Sequence, residues 1–164
     1  IILIDSKKWR FMNLRNKIEE DYKKSIKNKD QDTTNTLRLI KSAIKDKDIS
    51  SRSSENKEVV TDKEILSLLL TLIKQRKDSI GQFEKAKRDD LIKNEQKEID
   101  IINIYLPKQK SEKETENIVS DLIKNYNMTS LKDMGKLMSL IKNDYAGQLD
   151  LGFVGKIAKS KLGN

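Results

Sequence analysis

Arg76, Glu95 and Glu98 come nearest to a chemical site in this 164-residue chain. Arg76 interrupts the apolar stripe Ile65, Leu69, Leu72, Ile73, Ile80 and Phe83, and the glutamates share a stripe with Leu91, Ile102 and Tyr105. If the two stripes face each other about a turn near Arg88, the guanidinium meets the carboxylates. One reading is an ion pair that fixes hairpin register, which favours specificity more reliably than stability because desolvation offsets the attraction. The other is a polar pocket in a groove.

Two basic constellations follow. Arg38, Lys41 and Lys45 recur at helical spacing on one flank, with Lys24 and Lys27 able to extend them. A basic stripe of this kind can follow phosphates, or can be an ordinary solvated face. No aromatic residue is interleaved, so base stacking is not expected there. In the tail, Lys132, Lys136, Lys156 and Lys159 flank Gly135, Gly152 and Gly155. Each glycine inside a helix costs about 1 kcal/mol relative to alanine. Either two helices pack closely at these positions or a partner's backbone, such as RNA phosphate, approaches there.

The chain has no cysteine and no histidine. Disulfides, thiolate nucleophiles, the usual structural zinc sites and imidazole acid/base pairs are therefore excluded. Carboxylate, lysine, serine and tyrosine chemistry remains, but there is no G-x-S-x-G, no phosphate-binding glycine loop and no dinucleotide fingerprint. No catalytic residue, metal site or cofactor is assigned. The formal net charge of +8 suits a phosphate-bearing partner. Its excess lies mainly in residues 1–60, with 15 basic and 10 acidic side chains. No stretch approaches the roughly 18 to 20 apolar residues of a membrane span, so no membrane association is expected.

These residues must be positioned by helices, since one proline, six glycines and abundant Lys, Glu, Leu and Ile favour an all-α chain. Asn13 caps a first helix with Leu14, Ile18, Tyr22 and Ile26 in its stripe, and a second carries Leu37, Ile40 and Ile44 inward. Together they form one hairpin. "SSRSSENKEV" reads as a polar, mobile loop. Thr61 to Glu64 is a capping box opening a third helix, which turns near residues 87–89 into a fourth to make a second hairpin. Pro107 ends it, and Ser111 to Glu114 restarts the chain. Three short helices follow: one through Ile118, Leu122 and Ile123; one with Leu131, Met134, Leu137, Met138, Ile141 and Tyr145; and one from an Asp150 cap through Val154 and Ile157. The expected organisation is an extension over 1–11, an N-terminal helical domain over 12–108 with two hairpins, and a small three-helix domain over 109–164. "IILIDSKKWRF" lacks an initiator methionine and is too short for a signal peptide. A tag remnant or the end of an organellar presequence both fit, so cytoplasm, mitochondrion and plastid stay open.

"LRLIKSAIKDKDI" (Leu37 to Ile49), "LIKQRKDSIGQFEKAKRDDLIKNEQKEIDIINIYLPKQ" (Leu72 to Gln109) and "DMGKLMSL" (Asp133 to Leu140) resemble the GatB/YqeY family of small helical proteins, over roughly Met12 to Leu162. The resemblance implies a helical N-terminal domain and a C-terminal domain similar to the tail of the B subunit of glutamine-dependent tRNA amidotransferase. In that enzyme the B subunit activates the misacylated residue on tRNA, its tail helps hold the tRNA, and ammonia comes from another subunit. Only the tail-like part has a counterpart here. The family label of carbon–nitrogen ligase with glutamine as amido donor therefore transfers as kinship more than as activity. The implied role is tRNA binding, or service as an accessory in a translation-related assembly. Amide transfer alongside separate subunits is the alternative, and a helical protein-docking module is the second. Two departures from the family pattern stand out: Lys87 occupies a turn where relatives commonly have glycine, and Gln148 a loop position that is often basic.

Overall fold

A computed structural model of the protein describes residues 13–52 and 59–163. Its helices, in chain order, are α1 (Leu14–Lys27), α2 (Gln31–Ser51), α3 (Asp62–Lys85), α4 (Asp89–Asn103), α5 (Glu112–Asn125), α6 (Met134–Asp144) and α7 (Leu151–Leu162), with a 3-10 turn at Leu131–Asp133 before α6. No strand occurs among the described residues, and the fold is all-α. The chain divides into two compact units, one ending at Pro107 and the next beginning at Lys108. The N-terminal extension, and most of the serine-rich loop with its expected mobility, lie outside the described residues.

In the first unit α1 packs on α2 and α3 on α4, while α2 also touches α3 and α4 and so joins the two hairpins. Local chemistry sets the helix starts. Asn13 accepts from Asn16 N, Asp30 from Thr33 N, and Thr61 and Glu64 satisfy each other's amides in a capping box. The apolar faces these helices present, including Leu14, Ile18, Leu37, Ile40, Ile44, Ile65, Leu69, Ile73, Ile99 and Ile102, form the buried core.

Two details depart from the sequence pattern. Ile26, expected in the stripe of α1, is 50% exposed, and Ser25 is buried instead at 4%. At that point the chain is reversing into α2, and Thr34 approaches close enough for its hydroxyl to donate to Ser25 Oγ at 2.8 Å. Ser50 and Ser51, assigned to the loop, extend α2 by bonding back to the Lys47 carbonyl.

Both hairpins turn through a lysine with a left-handed backbone, Lys29 at φ 57° and Lys87 at φ 54°. At the second, Arg88 N donates to Phe83 O and Lys87 N to Glu84 O, the paired bonds of a Schellman helix end. The position normally asks for glycine; here the reversal is formed with lysine.

Long-range polar contacts then tie the hairpins together. Arg15 makes two 2.9 Å bonds to Asp48, whose Oδ1 also accepts from Val60 N at 3.2 Å, so α1, α2 and the approach to α3 share one carboxylate. The Arg15 guanidinium accordingly holds the Asp48 carboxyl below the usual range. Leu14 N donates to Asp62, and Tyr105 Oη to Asp21.

The second unit closes around Val119, Met128, Leu137, Ile141, Leu149, Val154, Ile157, Ala158 and Leu162. Ser111 caps α5, and Asp150 accepts from Gly152 N and Phe153 N to cap α7. The Gln148 carbonyl accepts from Lys110 N at 2.8 Å, which pins the loop between α6 and α7 to the chain entering α5. Leu131, expected on the apolar face of the sixth helix, instead belongs to the 3-10 turn and is 52% exposed.

Candidate nucleic-acid interface

Helix α7 has two unlike sides. Val154, Ile157, Ala158 and Leu162 enter the core, and the opposite flank carries Gly152, Gly155, Lys156 and Lys159, with both lysines exposed. In α6, Leu137 and Ile141 point inward while Gly135 and Lys136 are exposed. Lys132, also exposed, sits on the 3-10 turn, which packs against both α6 and α7.

A methyl group built at Gly135 or Gly155 would meet no atom within 4 Å. Close packing of two helices, one of the two explanations of these glycines, is thereby overturned at both positions. Gly81 in α3 is equally open. Gly152 has a local role, since its N–H is bonded to the Asp150 cap at 2.9 Å.

An aromatic ring lies beside one of these lysines. Lys136 Nζ stands 5.1 Å from the centroid of Tyr126, whose ring belongs to an exposed residue. Asp133 is the adjoining acid, and its carboxylate accepts from Thr129 N at 2.8 Å and Ser130 N at 3.2 Å. Those amides hold it below the ordinary carboxyl range, so it stays charged but turned into its own loop.

In the first unit Arg38, Lys41 and Lys45 line an open groove of about 420 Å³ between α1 and α2. Lys41 is already engaged: it bonds Glu19 at 2.7 Å and stands 4.1 Å from the Tyr22 ring centroid. The Glu19 carboxyl is lowered chiefly by that bond. Arg15 in the same groove is held by Asp48. Arg38 and Lys45 are exposed and have no ion-pair partner among the described residues. The groove thus alternates cation and anion, a poor match to a uniformly negative backbone.

Arg76 and Glu98 are brought together, with Nε 2.7 Å from Oε2 and the side chains 12% and 32% exposed. Arg76 Nη1 also donates to the Leu72 carbonyl. Glu95 lies nearby without a bond to the guanidinium, and burial, then the Glu98 charge, push its carboxyl up against the opposing pull of Arg76. Among the described residues no carboxylate cluster is arranged to hold a metal ion. Nor is any helix there long and apolar enough to cross a membrane.

Sequence reasoning missed the rings beneath Lys41 and Lys136. Tyr22 and Lys41 are on different helices, and Tyr126 and Lys136 are ten positions apart across a turn, so neither pairing leaves a periodic signal. It also missed the Arg15–Asp48 clasp, 33 positions apart.

A two-unit all-α chain with a lysine- and glycine-bearing helical tail is the class these observations define. The chain belongs to the YqeY-like protein family, whose model matches residues 15–162. It is also similar to curated proteins called altered inheritance of mitochondria protein 41, mitochondrial. The Kluyveromyces lactis protein is 39% identical over 88 residues, covering 54% of this chain and 45% of that one. That of Saccharomyces cerevisiae is 38% identical over 89 residues, with 54% and 46% covered. That of Lachancea thermotolerans is 34% identical over 125 residues, with 73% and 65% covered. The chain spans about half the length of the first two relatives.

Proposed function

We propose that this protein binds tRNA as an accessory in a translation-related assembly, through the exposed face of α6, α7 and the 3-10 turn. The observation that carries the reading is the open space over Gly135 and Gly155. Glycine in the middle of a helix, as Gly155 is in α7, is less favourable than alanine by about 0.5–1 kcal/mol, and nothing within the unit uses the missing side chain at either position. A phosphate backbone drawn against the helices would use it, and Lys132, Lys136, Lys156 and Lys159 supply the charge that draws it in. Kinship with the amidotransferase B-subunit tail, which the sequence resemblance of this region implies and which would bring a tRNA-holding role with it, supports the same assignment. The relatives' names support a mitochondrial site of action. Amide transfer would require separate glutaminase and activating subunits, and the protein would then be their tRNA-holding associate.

Unfractionated tRNA binding by the Gly135→Ala and Gly155→Ala variants tests this reading. Weaker binding by variants that melt higher supports it. Parent-like affinity in both removes the argument from the glycines.

A further inference from the structure

We propose that Tyr126 is a stacking platform for one unpaired nucleobase of the bound RNA, an inference that rests on the tRNA-binding reading and names the part of the RNA that this face takes. The chain has only three phenylalanines, four tyrosines and one tryptophan, and it leaves this tyrosine 45% exposed. The local turn explains how. Asn127 adopts φ 50°, and Met128 N bonds back to Ile123 O, so the helix end directs Met128 into the core at 6% exposure and leaves Tyr126 outside.

The surroundings of the ring suit a nucleotide. Lys136 Nζ is 5.1 Å from the ring centroid; it makes no direct ion pair among the described residues, and its charge also acts on Asp133. Lys124 lies in the last turn of α5, the helix whose C-cap is Tyr126. Asp133, the adverse charge, is held by the amides of Thr129 and Ser130. On binding, the Lys136 ammonium moves from the ring to a phosphate and the base takes its place on the π-face, so cation and ring each meet the part of a nucleotide they fit. Tyr22 is the contrasting case, because the Lys41 that covers it is locked to Glu19 at 2.7 Å. A base within a duplex has both faces stacked already, so this platform requires an unpaired nucleotide.

The test uses the full chain and its Tyr126→Phe, Tyr126→Leu and Tyr126→Ala variants against tRNA, a twelve-residue oligoadenylate and a twelve-base-pair RNA duplex, with melting curves for each protein. Phenylalanine keeps the π-face and should bind as the parent does. Leucine and alanine should lose roughly fivefold to a hundredfold in affinity for tRNA and oligoadenylate, the scale of one lost base stack, with duplex binding unchanged. The leucine variant keeps apolar bulk and serves if alanine perturbs the fold. Parent-like tRNA binding by both variants overturns the stacking role and leaves tRNA binding standing. An equal loss on the duplex also overturns it. Failure of the parent to bind any of the three RNAs overturns the tRNA reading itself, and stacking with it.

Discussion

The phenol of Tyr105 donates to Asp21 Oδ2 at 2.7 Å, joining residues 84 positions apart and fixing the end of α4 against α1. Tyr105 is 3% exposed, and burial, then the bond to Asp21, raise the phenol above its ordinary value. The folded state therefore holds this proton more tightly than the unfolded chain. The stabilisation is complete below the unfolded value of about 10 and is lost as pH rises beyond it. Tyr105→Phe should cost about 1–2 kcal/mol at pH 7, with the difference from the parent shrinking above about pH 10. Urea unfolding at pH 7, 9 and 10.5 checks this; a constant difference would contradict it.

Arg76 and Glu98 are read as a lock on hairpin register. Arg76→Met alone strands Glu98 beside Glu95 and should destabilise by roughly 1–3 kcal/mol, whereas Arg76→Met with Glu98→Met should restore most of the loss. RNA affinity should be unchanged in both. A fall in RNA affinity without a change in melting temperature would instead favour the polar-pocket reading.

Glu95 offers a pH test with its own sign. Its raised carboxyl pKa means that the folded state favours the neutral form, so the charged form opposes folding near pH 7. Glu95→Gln should gain a few tenths, roughly, of a kcal/mol at pH 7, and the gain should vanish below about pH 4, where the parent is protonated in both states. A gain that is the same at both pH values would contradict this cause.

Gly81→Ala should raise stability by about 0.5–1 kcal/mol, because the added methyl meets nothing and the helix is easier to form. Lys87→Gly should also stabilise, by about 1 kcal/mol, since it relieves a left-handed lysine at φ 54°. Thermal melts of both variants suffice. A lower melting temperature for Lys87→Gly would show that the lysine side chain contributes more than its backbone conformation costs.

The helices were legible because their signals are local. Thr61 and Glu64 announce a start three residues apart, and Leu37, Ile40 and Ile44 define a face within two turns. The departures occur where a neighbouring element decides. Ser25 displaces Ile26 from the interior because Thr34 approaches it, and Leu131 is exposed because its turn is 3-10 rather than α. The basic residues of the candidate interface could be read from spacing. Their environment could not: that Lys41 is bonded to Glu19, that Lys136 stands over Tyr126 and that Gly155 faces open space all depend on tertiary geometry.

Fluorescence anisotropy of labelled tRNA titrated with the full chain across a salt series, beside a duplex RNA control, tests the central claim most directly. The companion protein carries Lys132→Ala, Lys136→Ala, Lys156→Ala and Lys159→Ala. The parent should prefer tRNA, and its affinity should fall with salt. The fourfold variant should bind more weakly and with a shallower salt slope, by up to about one per phosphate contact removed. Equal binding of tRNA and duplex, or an unchanged slope in the variant, would contradict a tRNA-binding face on α6 and α7.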